Sequence, residues 1–448
     1  MRRRRFQRTV PRGGTMRRVT VLAVLCLAIA AATTALPATA SAALPSVPSS
    51  KFTVAQGCGC HAALVEQWSK SMHSKALSDP LYQAKLAEAN RATDGALGKF
   101  CEDCHGPISG MAGMNGKGAK PRDAVANEAV TCDFCHQVTG VTQPLANNSW
   151  TLTADGTKRA QLKDAKSPVH QTAYSAHHEK ADFCGVCHNV NHPGNGLPLE
   201  ATYTEWKNSP YAKEGITCQD CHMTPGPGVT KPNPGRAAPM APEREHIYQM
   251  TFVGANAGLG DKATAEETLK AAAKVELDTA KIVEPGAKGK VAVKVTNVGA
   301  GHYLPTGLTE VRECWLQVTV ADASGKALVS ERRDFHTVLK DAKGNAPVEL
   351  WEATGVKEDT RIAPKASKDF DFAFDMPAAG PVTVSAAMYY RSAPEELAEK
   401  AGVDIPTTEM AKVEQAVYAT EAEAAKVESG GEVDEAAKTK DTTAIGIV

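Results

Sequence analysis

Four times the chain spells one five-residue phrase. It reads Cys101-Glu-Asp-Cys104-His105, Cys132-Asp-Phe-Cys135-His136, Cys184-Gly-Val-Cys187-His188 and Cys218-Gln-Asp-Cys221-His222. Two thiols three residues apart lie on one side of a helical turn, where both can add to the two vinyl groups of a haem. The histidine that follows is then held under the ring as an axial iron ligand. One copy of such a motif is compatible with a zinc or redox pair. Four copies, each with its histidine, within about 120 residues point to several covalently attached haems.

A fifth, defective copy precedes them: Gly57-Cys58-Gly59-Cys60-His61. Cys60 and His61 are in register, but the partner position is Gly57 and the extra thiol, Cys58, comes one residue late. Residues two apart on a helix point roughly 200° apart, so Cys58 and Cys60 reach one ring only with distortion, which the flanking glycines allow. The reading taken is a fifth haem c held through Cys60, with His61 as ligand and Cys58 as an additional candidate thioether. The competing reading is four haems, with this stretch a Cys-rich loop.

The twelve cysteines then account for themselves. Cys26 falls in an N-terminal leader, eight form the full motifs, and Cys58 and Cys60 form the defective one. Only Cys314 remains, so no disulfide framework is expected.

Each iron takes a second axial ligand or leaves that position open. Beyond the motif histidines stand His73, His170, His177, His178, His192, His246, His302 and His336. A lone histidine is by default an exposed or hydrogen-bonded residue, so each must be weighed. His73 sits on an expected helix twelve residues after His61 and is favoured as a distal ligand. His170, His178 and His246 are further distal candidates in motif-rich surroundings. His177 and His178 are neighbours and cannot both face the same ring. His192 and His302 are balanced between ligand and structural roles, and His336 reads as structural. Five haems therefore have histidines enough for ligation on both faces, which suits electron transfer because nothing binds or leaves when the charge changes.

The elements that must place these residues change character along the chain. Residues 1–42 read as a signal peptide: a basic start with Arg2–Arg5, Arg8, Arg12, Arg17 and Arg18, an apolar run from Val19 to Leu36, and a small-residue cleavage site at Ala40-Ser41-Ala42. Its loss removes eight arginines and no acid, taking the formal net charge from −1 to −9. That charge argues against a nucleic-acid partner. No other stretch is long and apolar enough for a membrane span, so the expected site of action is the periplasm, the cell surface or the extracellular space.

Residues 43–262 read as a helical and loop-rich haem domain, with helices expected over Ala62–Ala76 and Tyr82–Ala89. A Pro-rich arm follows over Met223–Pro242. From 263 the pattern shifts. Thr264-Ala-Glu-Glu267 predicts the capped start of a short helix. Alternation at Val291, Val293 and Val295, at Cys314, Leu316, Val318 and Val320, and at Phe370, Phe372, Phe374 and Met376 predicts strands, with Val382–Tyr390 the last. This is an antiparallel β-sandwich, Ig-like in kind, over 263–395. Cys314 is expected in its core. A helix over Glu395–Ala401 and a disordered tail complete 396–448. The fold class is multidomain α+β.

The run Cys60-His61-x₆-Trp68-Ser-Lys-Ser-Met-His73-Ser-Lys-Ala76 resembles the N-terminal signature of the cytochrome c-554-like multihaem cytochromes. "VTCDFCHQV", "GVCHNV" and "TEWKNSPYAKEGITCQDCHM" are similar to stretches of the same group. The resemblance spans about residues 55–250 and departs at Gly57, where the family has Cys. It implies a mostly helical wrap around closely packed haems, His73 as a distal ligand and an electron-carrying role. The loop Asn297-Val-Gly-Ala-Gly-His302-Tyr-Leu-Pro-Thr-Gly307 is similar to loops in sandwich domains appended to multihaem cytochromes, which implies that His302 faces the haems.

The expected function is electron transfer between redox proteins, such as cytochromes, quinol-linked carriers or outer-membrane carriers. Two other readings stay open. One is a haem-dependent reductase of a nitrogen or sulfur oxyanion at a five-coordinate haem. The other is a homo-oligomer or subunit of an extracellular cytochrome filament.

Overall fold

Alternating valines, capping aspartates and Cys-x-x-Cys turns each leave a visible mark on the architecture. The computed structural model describes residue 41 and residues 43–142, 145–228, 232–378 and 380–426. All but one residue of the leader, and residues 427–448 of the expected tail, lie outside the described residues; residues 418–426, expected in the same tail, are instead folded, with Tyr418, Ala419 and Ala424 buried.

The N-terminal region is built from short helices and long loops. The helix Ala62–Lys70 stops at Ser71, whose hydroxyl accepts from the Ser74 amide at 3.3 Å and opens the single turn Met72–Lys75. The one helix expected over 62–76 is therefore two, and the break reorients His73. The helix Pro80–Ala92 is longer than expected at both ends. Asp79 caps it, accepting from the amides of Leu81 (2.8 Å) and Tyr82 (3.3 Å), and Pro80 occupies its first position. Three of the full motifs lie on short helices, Gly98–His105, Cys132–Gln137 and Cys218–His222, and the remaining one begins at Cys184 on the helix Asp182–Gly185 and continues in the turn that follows it. A capping box fixes the last, since Asp220 accepts from the Thr217 amide at 2.8 Å. The buried apolar side chains here are few. Phe52, Ile108, Met111, Phe134 and Trp150 form one modest cluster.

The C-terminal region opens with the helix Lys262–Ala272. Its cap is Asp261, which accepts from the Thr264 amide at 3.0 Å. The capping box expected at Thr264–Glu267 is thus replaced by an earlier start. Nine strands follow: β1 (Ala273–Thr279), β2 (Lys288–Asn297), β3 (Glu313–Ala321), β4 (Ala327–Asp334), β5 (Thr337–Lys340), β6 (Gly355–Asp359), β7 (Ser367–Asp375), β8 (Val382–Arg391) and β9 (Thr408–Val417). They form a four-stranded sheet β4-β3-β8-β9, a three-stranded sheet β7-β2-β1 and the ribbon β5-β6, all antiparallel.

The two larger sheets share one core. Val291, Val293 and Val295 of β2 meet Leu316, Val318 and Val320 of β3, with Phe372 and Phe374 of β7 and Ala386 and Met388 of β8. These are the period-two positions read from the sequence, and Cys314 is buried among them. The strand β9 was not expected. Its sequence, Thr-Glu-Met-Ala-Lys-Val-Glu-Gln-Ala-Val, carries few large apolar side chains. It is held by pairing along β8, with a register shift at Met388/Tyr389.

The helix Glu395–Ala401 turns back onto Pro80–Ala92, where Leu81, Ala393, Ala398 and Ile405 form a shared cluster. Lys85 bridges Glu349 at 2.6 Å, and Lys400 bridges Glu88 at 3.1 Å. The helical region and the β region are thereby joined along a continuous contact.

Candidate haem-binding cavity

The motif helices converge on one large, predominantly apolar cavity of about 1550 Å³, lined by all the motif cysteines and histidines. That exceeds the roughly 300–1,000 Å³ usual for a small-molecule pocket. None of the described cysteines is in a disulfide. Burial, with smaller terms from nearby charges, pushes the thiols of Cys132 and Cys135 up to about 12 and that of Cys101 up to about 11. These three cysteines are therefore neutral thiols facing an apolar space, suited to addition chemistry rather than to holding a bare metal ion. Among the described residues no cluster of His, Cys, Asp and Glu forms a metal cage.

Three motif histidines are aimed by hydrogen bonds from Nδ1 to backbone carbonyls. His61 donates to the Ala237 carbonyl (2.6 Å), His105 to Ala76 (2.7 Å) and His136 to Arg159 (2.7 Å). Such a bond fixes the tautomer and leaves Nε2 free to ligate. His188 differs, with Nδ1 3.2 Å from the Glu200 carboxylate. Burial pulls its imidazole down, but the bond and charge of Glu200 outweigh this and raise it to about 9.

Four motif histidines have a second imidazole set across a gap. His61 and His170 have ring centres 6.4 Å apart, His73 and His188 6.3 Å, His136 and His178 5.9 Å, and His222 and His302 6.3 Å. The rings of the last two pairs are nearly parallel, at 11° and 9°. With two metal–imidazole bonds of about 2 Å each, and roughly 1 Å from Nε2 to each ring centre, a single iron needs about 6 Å. Direct ring stacking would be closer. The gaps fit an iron between each pair. Burial, followed by the neighbouring histidines, lowers His73 to about 3 and His178 and His222 to about 4. These rings are neutral, the form that ligates.

His105 is the exception. The ring against it is that of Tyr82, 3.8 Å away and tilted by only 10°, too close for an iron to lie between. Of the other candidates, His246 is half-buried beside Tyr248, and neither of its ring nitrogens has a hydrogen-bond partner among the described residues. His192 takes the Gly194 amide at Nδ1 (3.0 Å) and lies 3.4 Å from the Trp351 carbonyl. Neither is set across from a motif histidine in the way the four pairs are. His177 lies against Gly140.

The motifs also touch one another. The thiols of Cys104 and Cys187, and those of Cys184 and Cys218, are close enough to influence one another's protonation, while Cys104 donates to the Asn148 side-chain oxygen at 3.1 Å. The Cys184–His188 motif thus adjoins both the Cys101 and the Cys218 motifs. The Pro-rich arm closes the cavity beside His61 through Ala237.

His302 comes from the β region, and its placement depends on residues that sequence reading passed over. Asn297 holds the loop, donating to the His302 carbonyl at 2.9 Å. Glu205, on the helix Thr202–Lys207, accepts from the Tyr303 amide (3.1 Å), the Thr306 hydroxyl (2.6 Å) and Arg361 (2.5 Å). Arg361 and Glu205 are both largely buried. Glu205 lies within one of the family-like stretches, but nothing in that stretch pointed to a partner about 150 residues away.

Residues 57–137 match the family described as cytochrome c554 and c-prime. The crystal structure of a penta-heme cytochrome c552 from Thermochromatium tepidum is similar in fold, with 21% identity and a TM-score of 0.62, covering 83% of this chain and 100% of that one. A CARDB domain from Pyrococcus furiosus aligns far more weakly, at 14% identity and a TM-score of 0.17 over 32% of this chain and 86% of that one. No curated protein matches the chain. The chain resembles the multihaem c-type cytochromes, with a region of antiparallel sheets appended.

Proposed function

We propose that this chain is an exported electron carrier holding five haems c. The four pairs of facing imidazoles, with ring centres 5.9–6.4 Å apart, carry the reading. In it His61, His105, His136, His188 and His222 are proximal ligands, and His170, His178, His73 and His302 are the distal partners of the first, third, fourth and fifth. The thioethers come from Cys101 and Cys104, Cys132 and Cys135, Cys184 and Cys187, Cys218 and Cys221, and from the defective first motif. When bound, such haems supply reversible one-electron chemistry. The chain's part is to orient the imidazoles across each gap and to hold those of His73, His178 and His222 neutral by burial. The contacts that link the Cys184–His188 motif to its neighbours favour electron passage within the protein. We divide the chain at about residues 262 and 395, with partners being other soluble or membrane-associated redox proteins.

Haem content and low-temperature EPR of the oxidised holoprotein test this. The expected result is five haems per chain, four of them low-spin. A low-spin signal from fewer than four would remove the pairing argument.

A second reading rests on His105 alone. Its haem would keep one axial position without a histidine, the arrangement a ligand-binding or reductase site requires. A high-spin signal that shifts on adding nitrite or cyanide would favour it. No such change would leave the electron carrier as the whole function.

A further inference from the structure

We infer that the first haem is joined to the chain by a single thioether, from Cys60, and that Cys58 stays a free thiol. The inference rests on the five-haem reading and concerns how its first site is made.

The residues from Ala55 to His61 form a tight 3₁₀ segment, broken by a non-helical conformation at Cys58 (φ −89°, ψ 31°). The break leaves Cys58 outside any regular helical phase with Cys60. The Cys-x-x-Cys-His spacing puts the partner of Cys60 at position 57, and it is Gly57. A Cβ there would lie 2.6 Å from Cγ2 of Thr53, so the side chain a full motif needs has no room unless Thr53 moves. At Gly59 the space around a Cβ is open.

The two thiols sit in different surroundings. Cys60 is exposed and adjoins His61, whose ring faces His170 across 6.4 Å. Cys58 is half-buried, and its charged neighbours are Asp133, Lys158 and Glu128. Those residues belong to the Cys132 motif and its surroundings. Asp133 follows Cys132, and Glu128 accepts from the Ala55 amide at 2.9 Å. Cys58 thus adjoins the Cys132 motif as well as the cavity that His61 lines.

The chemistry needs no second thiol. The Cys60 S–H adds across one vinyl group: the sulfur–carbon bond forms, the thiol hydrogen passes to the neighbouring vinyl carbon, and no oxidant or reductant is consumed. The other vinyl group stays intact.

The test uses the full-length holoprotein, denatured, treated with iodoacetamide, digested and sequenced by tandem mass spectrometry. The expected peptide carries haem on Cys60 and an alkylated Cys58. Haem bound to both cysteines, with neither alkylated, overturns the inference, as does haem on Cys58 alone. Cys58→Ser is expected to leave the haem content at five per chain, and Cys60→Ser to lower it to four. A Cys60→Ser chain that keeps haem on Cys58 is a second way for the idea to fail. A wild-type peptide with no haem and two alkylated cysteines is a separate outcome, because it removes the fifth haem itself. In the pyridine complex of the isolated haem peptide, the unreacted vinyl group should move the visible band to longer wavelength than in the other four peptides.

Discussion

The two halves of the chain solve the problem of a core in opposite ways. The β region buries Val291, Leu316, Val318, Val384 and Met388 nearly completely, and its two sheets fill the space between them with side chains alone. The helical region buries a smaller set and surrounds about 1550 Å³ of space lined with cysteines and histidines. Backbone ordering costs roughly 1–2 kcal/mol per residue, which apolar burial must offset. The β region can meet that cost from its own sequence. The helical region depends on what fills its cavity.

The sharpest way to break this comparison is to withhold haem. When the full chain is produced without haem attachment, residues 43–262 should lose protease resistance, while a fragment spanning the β strands persists on gels. Equal resistance of both halves would refute the contrast.

The next effect concerns the joint. Arg361→Ala leaves the buried Glu205 carboxylate without its cation, a change that typically costs about 3–5 kcal/mol. Chemical denaturation should show that loss, and the spectrum of one haem should change, since the same carboxylate holds the Tyr303 and Thr306 side of the His302 loop. Leu316→Ala, in the middle of β3, should cost about 2–5 kcal/mol. It should leave the haem spectra as they were, because its cavity opens only inside the sandwich.

Smaller effects sharpen the boundary between the halves. Glu310 is buried, and among the described residues neither of its oxygens has a partner. Burial raises its carboxyl from the usual 4.5 to about 7, against the opposing pull of Arg312 and Lys85, with Glu200 adding to the rise. The folded state then holds a proton that the unfolded chain releases, so stability should fall as pH rises from about 4.5 to 7. The loss should be about 3 kcal/mol. Glu310→Gln should flatten that slope in denaturation curves taken at pH 5 and pH 8. Tyr82→Phe should be the mildest change. The Tyr82 hydroxyl is buried without a partner among the described residues, so its removal should be neutral or stabilising by up to about 1 kcal/mol.

The sequence shows most where chemistry or period dictates spacing. The motif cysteines and histidines stand at fixed offsets, and the β-region core follows a strict alternation, so both were legible. What pairs with what was less so. His73 faces His188 rather than His61, the motif histidine nearest to it in sequence, because Ser71 breaks the helix and turns it. The contact of Tyr82 with His105 has no local signature at all. Strand β9 escaped notice because its pairing with β8, rather than apolar alternation of its own, holds it. Asp261 displaced the expected cap at Thr264 because an aspartate three residues earlier already satisfied the free amide.

His222 and His302 belong to different halves, about 80 residues apart, yet their rings lie parallel. An iron shared by such a pair is a staple across a long loop, and closing a long loop restricts the unfolded chain more than closing a short one. It also orders events in time. In the proposed five-haem arrangement, haem would be attached at Cys218 and Cys221 while the chain is still extended, and its second face would be covered only after β2 and the loop beyond it have folded. The colour of that one haem would then report that maturation is complete, an internal signal that the two halves have met.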